Sequence, residues 1–252
     1  ASTDNWFRPV NFINGPDGAL YILDMYRETI EHPYSVPEDI KKYLRLESGD
    51  DRGRIYRLVP PKWKHPEPVK LSGAGPSDLV KALESDNGWL RQTAHRLLWE
   101  RRDRRTLPLL AETARSSGHP LARAHSLWIL HGLNALEDRV LVAALGDASP
   151  RVREQATLLA EDRLDRPGFQ QALARLASDP DPRVRYQVAF SLGRLAVPLR
   201  QLPLSRLAKR APSDDHLRFA VMSSSLGLEN GLLRTLLQDK AFLAKKGSSA
   251  WL

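Results

Sequence analysis

The sequence predicts a mainly α-helical fold: a solenoid of about five stacked helix pairs, with a small β segment at its N-terminal end. Three observations predict it. An arginine recurs five times at nearly constant spacing, a helix-capping residue stands four places ahead of most of these arginines, and a lone hairpin signal occupies the first 24 residues.

The β segment comes first. Residues 7–14 and 19–24 alternate in polarity, are rich in β-branched and aromatic side chains, and flank Gly15-Pro16-Asp17-Gly18, a turn sequence. Residues 36–45, VPEDIKKYLR, carry a short helix signature, with Pro37 and two acids at its start. RGRIYRLVP (52–60) supplies a third strand. Three strands leave two edges unpaired, so this segment, residues 1–61, is expected to lean on further structure. Residues 62–77 read as a linker and helix start; their SGAGPSD run lacks the third glycine, or the Lys-Ser/Thr, that a phosphate cradle needs.

From residue 78 to 238 the chain repeats itself. NGWLRQTAHRLL (87–98), HPLARAHSLWIL (119–130), SPRVREQATLLA (149–160), DPRVRYQVAFSL (181–192) and DDHLRFAVMSSS (214–225) align on Arg91, Arg123, Arg153, Arg185 and Arg218, which are 32, 30, 32 and 33 residues apart. Four places ahead stand Asn87, His119, Ser149, Asp181 and Asp214; all but His119 are good N-caps, and three are followed by proline, suited to the first helical position. Each aligned stretch therefore opens the second helix of a pair. The first helices are DLVKALES, TLPLLAETARS, RVLVAALGD, FQQALARLAS and PLSRLAKRA. One such pair cannot bury its apolar stripe alone, so neighbours stack around a continuous core. The recurrent arginines are read as a structural ladder bonding an inter-helix loop or an acid of the next unit. Residues 239–252 are left as a C-terminal tail.

Composition narrows the function. The 252 residues are 42% hydrophobic, enough for a core, and no window approaches a membrane span. No signal-peptide pattern opens the chain; the start at Ala1 and the ending KKGSSAWL are read as the limits of a piece of a longer polypeptide. The absence of cysteine excludes disulfides, thiolate metal sites, covalent haem attachment and cysteine nucleophiles. The formal charge of +8 lies wholly beyond residue 77: residues 1–77 hold 11 basic and 11 acidic residues, the remainder 27 and 19. That balance admits nucleic acid, anionic lipid or an acidic protein as partner. Of the 27, 22 are arginine, which also serves helix surfaces. The densest cluster, ERRDRR (100–105), lies near Trp89, Trp99 and Trp128, as phosphate and base contacts would require, but its interleaved acids favour a solvated loop over nucleic acid. His119, His125 and His131 are six apart and do not share a helix face, no His-Glu-x-x-His occurs, and no Gly-x-Ser-x-Gly elbow is present, so no metal or serine-nucleophile site is predicted.

Two resemblances follow from the quoted residues. The Asp/Ser-Pro-x-Val-Arg-x-x-Ala pattern at a period near 31 resembles HEAT repeats, including those of the phycocyanobilin-lyase-like group, and implies a fold used mainly for protein binding. RPVNFINGPDGALYILDMYR, followed by RGRIYRLVP, resembles the last β-propeller blade of bacterial membrane-bound dehydrogenases related to the quinoprotein sugar dehydrogenases, in which a propeller precedes HEAT-like repeats. That likeness implies upstream blades, a quinone cofactor (PQQ) with Ca²⁺ in the parent protein, a cytochrome c module as a partner, and a periplasmic or exported location. Asp24, Tyr26 and His32 match a stretch of that family, which points to Asp24 and His32 as candidate catalytic residues, although Met25 replaces the usual Trp and Arg27-Glu28 departs from the commoner Asn-Pro. In this stretch itself no cofactor is expected. The preferred expectation is a non-catalytic interaction scaffold; the alternatives are part of a quinone-dependent sugar or alcohol dehydrogenase and a nucleic-acid-binding repeat.

Overall fold

The computed structural model describes residues 2–30 and 32–251 and is 54% helical. It divides into two compact units: residues 1–74 with 85–94, and residues 75–84 with 95–252. Residues 85–94, which the repeat pattern counts with the first helix pair, thus group with the β segment.

In the first unit, β1 (Pro9–Asn14), β2 (Leu20–Asp24) and β3 (Arg54–Leu58) form one antiparallel sheet in that order. Gly18, at φ 80°, closes the hairpin in a backbone conformation open to glycine without strain. Asp17 ties the turn to β2 and β3: its carboxylate accepts from the Ala19 amide at 3.0 Å and the Tyr21 hydroxyl at 2.9 Å, and Arg57 lies 3.4 Å away. Burial pushes this carboxyl up, but the Ala19 amide, the Tyr21 hydroxyl, Arg57 and His65 together hold it below the ordinary aspartate range. The turn's backbone is held too, since Asn87 Nδ2 donates to the Gly15 and Pro16 carbonyls. Phe12, Ile22 and Tyr56 sit opposite one another on one face, yet Phe12, Ile13, Ile55 and Leu58 are all more than half exposed. The helix expected over 36–45 shortens to α1 (Glu38–Lys41), preceded by a 3-10 turn.

The second unit is a two-layer helical solenoid. One layer stacks α2 (Pro76–Ala82), α4 (Thr106–Ser116), α6 (Asp138–Ala144), α8 (Pro167–Leu176), α10 (Val197–Arg210) and α12 (Glu229–Leu237) in consecutive contact. The other stacks α5 (Pro120–Gly132), α7 (Pro150–Ala160), α9 (Pro182–Leu192) and α11 (Asp215–Ser223). The helix opening the second layer, α3 (Gly88–Arg101), begins in the first unit and ends in this one. The core follows the repeat register. One residue before the ladder arginine lie Ala122, Val152, Val184 and Leu217; three after it lie Ala94, Ala156, Val188 and Val221; seven after it lie Leu98, Leu130, Ala160 and Leu192, all buried. These i, i+4, i+8 positions are one helix face, and each large side chain buried there contributes about 1.5–3 kcal/mol.

Two expectations are corrected. Ser149 does not cap α7 with its side chain; it donates its own amide to Asp147 Oδ1 at 2.7 Å instead. Asn87, Asp181 and Asp214 do cap, accepting from Trp89, Arg183 and Leu217 amides at 2.9, 2.8 and 3.0 Å. The helix read from Pro203 begins at Val197, with Pro198 in its first turn and Pro203 inside it. The C-terminal residues are ordered against the last units: α13 (Lys240–Leu243) buries Phe242, and Trp251 Nε1 donates to the Pro212 carbonyl at 2.9 Å.

Candidate functional site

The five ladder arginines differ in how completely they are bonded. Each of the first four aims Nη1 at the carbonyl six residues before it: Arg91 to Ser85 at 2.5 Å, Arg123 to Ser117 at 2.6 Å, Arg153 to Asp147 at 2.8 Å and Arg185 to Asp179 at 2.8 Å. The side chain at that same position accepts from the amide of the residue at the helix N-cap position, through Ser85 to Asn87, Ser117 to His119, Asp147 to Ser149 and Asp179 to Asp181. Where the position is aspartate it does a second job. Asp147 accepts from Arg123 Nε and Nη2 at 2.7 and 2.6 Å, and Asp179 from Arg153 Nε and Nη2 at 2.7 Å each, giving two bidentate rungs between successive units. The Asp179 bonds raise the Arg153 guanidinium above its ordinary value. The last arginine, Arg218, pairs at 2.8 Å with Asp215 of its own helix. Asp147 and Asp179 escaped the sequence reading; their signal was an aspartate six places before the arginine in GDASPRVR and SDPDPRVR.

The solvent side of the second helix layer exposes several large apolar groups, most of them aromatic. Trp128, Tyr186, Phe190, Phe219 and Met222 are exposed there, Phe219 to 64%. Tyr186 and Phe190 pack edge to face at 5.0 Å, and Trp128 Nε1 reaches Gln155 of the neighbouring helix at 2.8 Å. The layer also holds His95 and His125, whose Nδ1 atoms are 2.9 Å apart, so one ring donates and the other accepts; burial pushes His95 down from its ordinary value. At the turns leading out of this layer, Arg102, Arg104, Gly132 and Asn134 line a cleft of about 240 Å³. A second cleft, of about 300 Å³, is lined by Asn134, His131, Asp162, Arg163 and Arg166.

In the first unit the residues singled out in sequence take different places. Asp24 is 3% exposed at the end of β2. Its Oδ1 accepts from the Arg8 and Tyr26 amides at 2.8 and 2.9 Å, while Oδ2 is buried without a partner. Tyr26 takes φ 50° and lies under the Arg54 guanidinium, 3.7 Å from its ring centre. His32 is exposed, caps the short 3-10 turn through Nδ1 to the Tyr34 amide at 3.3 Å, and stacks on Tyr34. No hydrogen bond or ion pair joins it to Asp24. Among the described residues no three His, Cys, Asp or Glu side chains stand close enough to hold a metal ion, and no helix is long and apolar enough to cross a membrane.

Comparison with known families agrees with this division. Residues 138–224 match the family model for HEAT repeats. Residues 1–62 match a domain of unknown function, DUF7133. No curated protein matches the chain.

Proposed function

We propose that this chain is a non-catalytic interaction scaffold whose repeat unit holds a polypeptide partner bearing acidic and apolar side chains. The observation that carries this is the set of exposed aromatic and aliphatic residues on α5, α9 and α11, Trp128, Tyr186, Phe190, Phe219 and Met222, in the part of the chain that carries the whole excess of positive charge. Scattered apolar residues need no explanation, but Trp128 and Phe190 share one repeat position and Tyr186 and Phe219 another, a recurrence that suits a contact surface. The internal rungs support the reading by giving successive helices one register, and a preformed surface binds at lower entropic cost. The test is affinity capture by the full chain. A saturable complex with one protein, lost in the F190S/F219S double variant while melting is unchanged, supports the scaffold. Oxidation of sugars or alcohols by the chain in a dye-linked assay with PQQ and Ca²⁺, or duplex DNA binding with a steep log–log salt slope, overturns it.

A second reading rests on Asp24 and on the exposed sheet. The buried, unpartnered Oδ2 and the uncovered Phe12, Ile13, Ile55 and Leu58 suit a β-propeller blade whose neighbours lie in a longer, dehydrogenase-like polypeptide. The residues present do not by themselves fit Ca²⁺, which takes six to eight oxygens where Asp24 offers one free atom. His32 is committed to its turn. Cofactor chemistry would therefore need groups from other blades, and no step is drawn through this site.

A further inference from the structure

The two complete rungs define what an incomplete one lacks. In Arg123 and Arg153 every nitrogen is used: Nη1 holds the loop carbonyl, and the Nε–Nη2 edge holds both oxygens of the aspartate six places before the next arginine. Arg185 has the first half of that set only. Its Nη1 donates to the Asp179 and Pro180 carbonyls, both at 2.8 Å, but Nε is buried without an acceptor, and Nη2 meets none among the described residues. The residue is 8% exposed. The reason is legible in the repeat, because the position that carries Asp147 and Asp179 is Pro212 in the next unit.

No neighbouring group takes over. Arg210 adds a second positive charge beside Arg185 and has no ion pair among the described residues. Asp214, Asp179 and Asp181 offset part of that charge, but the Asp179 carboxylate is held by Arg153 and the other two each use Oδ1 to cap their own helix. A buried guanidinium edge with no acceptor is costly, whereas the same edge bonded to a carboxylate is among the stronger polar contacts in proteins.

We propose that this open rung between α9 and α11 is a carboxylate-binding notch, filled by an aspartate or glutamate side chain of the partner polypeptide. The carboxylate takes the place that Asp147 and Asp179 occupy in the two rungs before it, with its oxygens on Arg185 Nε and Nη2 and Arg210 alongside. To admit it, the 211–213 loop must give up the bonds from Trp251 Nε1 to the Pro212 carbonyl and from the Ser213 hydroxyl to the Lys246 carbonyl. The assignment rests on the scaffold reading above and specifies where, on that scaffold, an acidic residue is read.

The test follows the arginine Nε–Hε signals of the full chain by ¹⁵N NMR. The titrants are penta-glutamate, penta-glutamine as the neutral control and sodium acetate as the free carboxylate. The Arg185 signal is assigned by its loss in R185K. The expected result is a downfield, saturable shift of that signal with penta-glutamate and with acetate, none with penta-glutamine, and fixed Arg123 and Arg153 signals. In P212D, which supplies the missing carboxylate in the chain, the Arg185 signal starts at the bound position and no longer titrates, and the protein melts no lower than the parent. An immobile Arg185 signal overturns the proposal, as does movement in step with exposed arginines, or a P212D variant that titrates like the parent. A response to acetate with none to penta-glutamate overturns the polypeptide assignment, while the scaffold reading is judged separately by its capture experiment.

Discussion

Replacing Asp179 by alanine tests the ladder where it is most complete. The substitution removes both oxygens bonded to Arg153 Nε and Nη2 and the acceptor of the Asp181 amide. The ion pair is well covered, with side-chain exposures of 12% for Arg153 and 3% for Asp179. Stripping one member from a buried pair costs about 3–5 kcal/mol, because the other charge is left in a poor solvent. Arg153 keeps its loop carbonyls and some access to water, so the lower end, about 3 kcal/mol, is expected. At about 2–4 °C per kcal/mol for a domain of this size, that is a fall of about 6–12 °C in Tm. A repeat array also opens locally, so the sharper assay is native-state hydrogen exchange: amides of α7 and α9 should lose protection while those of α4 keep theirs. The R153M/D179L double variant, which removes both charges, should recover most of the loss. If D179A lies within about 0.5 kcal/mol of the parent, or if protection falls evenly from α4 to α11, the rungs do not couple neighbouring units and the reasoning fails.

Three further outcomes are expected. Burial lowers His95, so the unfolded chain takes up its proton first; stability is full above the unfolded value of about 6.5 and declines as pH falls through it toward the lowered folded value. H95F should flatten that decline in urea unfolding series run from pH 8 to pH 5, and an unchanged pH slope would remove His95 from the account. A Cβ at Gly132 would stand 2.7 Å from Trp99 Nε1 and 2.9 Å from its Cδ1, so G132A should cost about 1–3 kcal/mol and shift tryptophan emission. D24N keeps an oxygen for the Arg8 and Tyr26 amides and should leave their exchange nearly unchanged, whereas D24A strands both donors at about 1–3 kcal/mol each; equal exchange in the two variants would show that Asp24 does not hold this turn.

The repeat was readable because its signals are local. Capping residues, first-turn prolines and apolar spacing act within one helix, so an alignment on Arg153 and Arg185 exposes the helix starts and the core face together. The ladder's acceptors were harder to see, since a rung joins residues about 25 apart and its aspartate recurs in only two units, one of which presents it next to a more obvious capping candidate, Ser149. The beginning of α10 was misplaced because Pro203 carries the sequence mark of a first turn, although Pro198 fills that role and Pro203 is carried within the helix. The C-terminal packing was invisible because the contact of Trp251 lies with Pro212, far back in the chain, and neither it nor the burial of Phe242 has a period. At Asp24 the sequence indicated a polar residue closing a strand; that one oxygen is saturated and the other stranded is a property of the folded backbone around it.

The handing of a carboxylate from two successive units to the arginine before each makes the rung itself a repeatable part. A tandem copy of residues 149–180 placed after Pro180 would bring its own arginine and its own acid and so keep the rungs, while Glu161, which bonds Ser191 and Arg194 across the junction, would face Leu159 and Asp162 of the copy instead. Growth by duplication is open at that junction and closed one unit later, where Pro212 offers nothing to pass on.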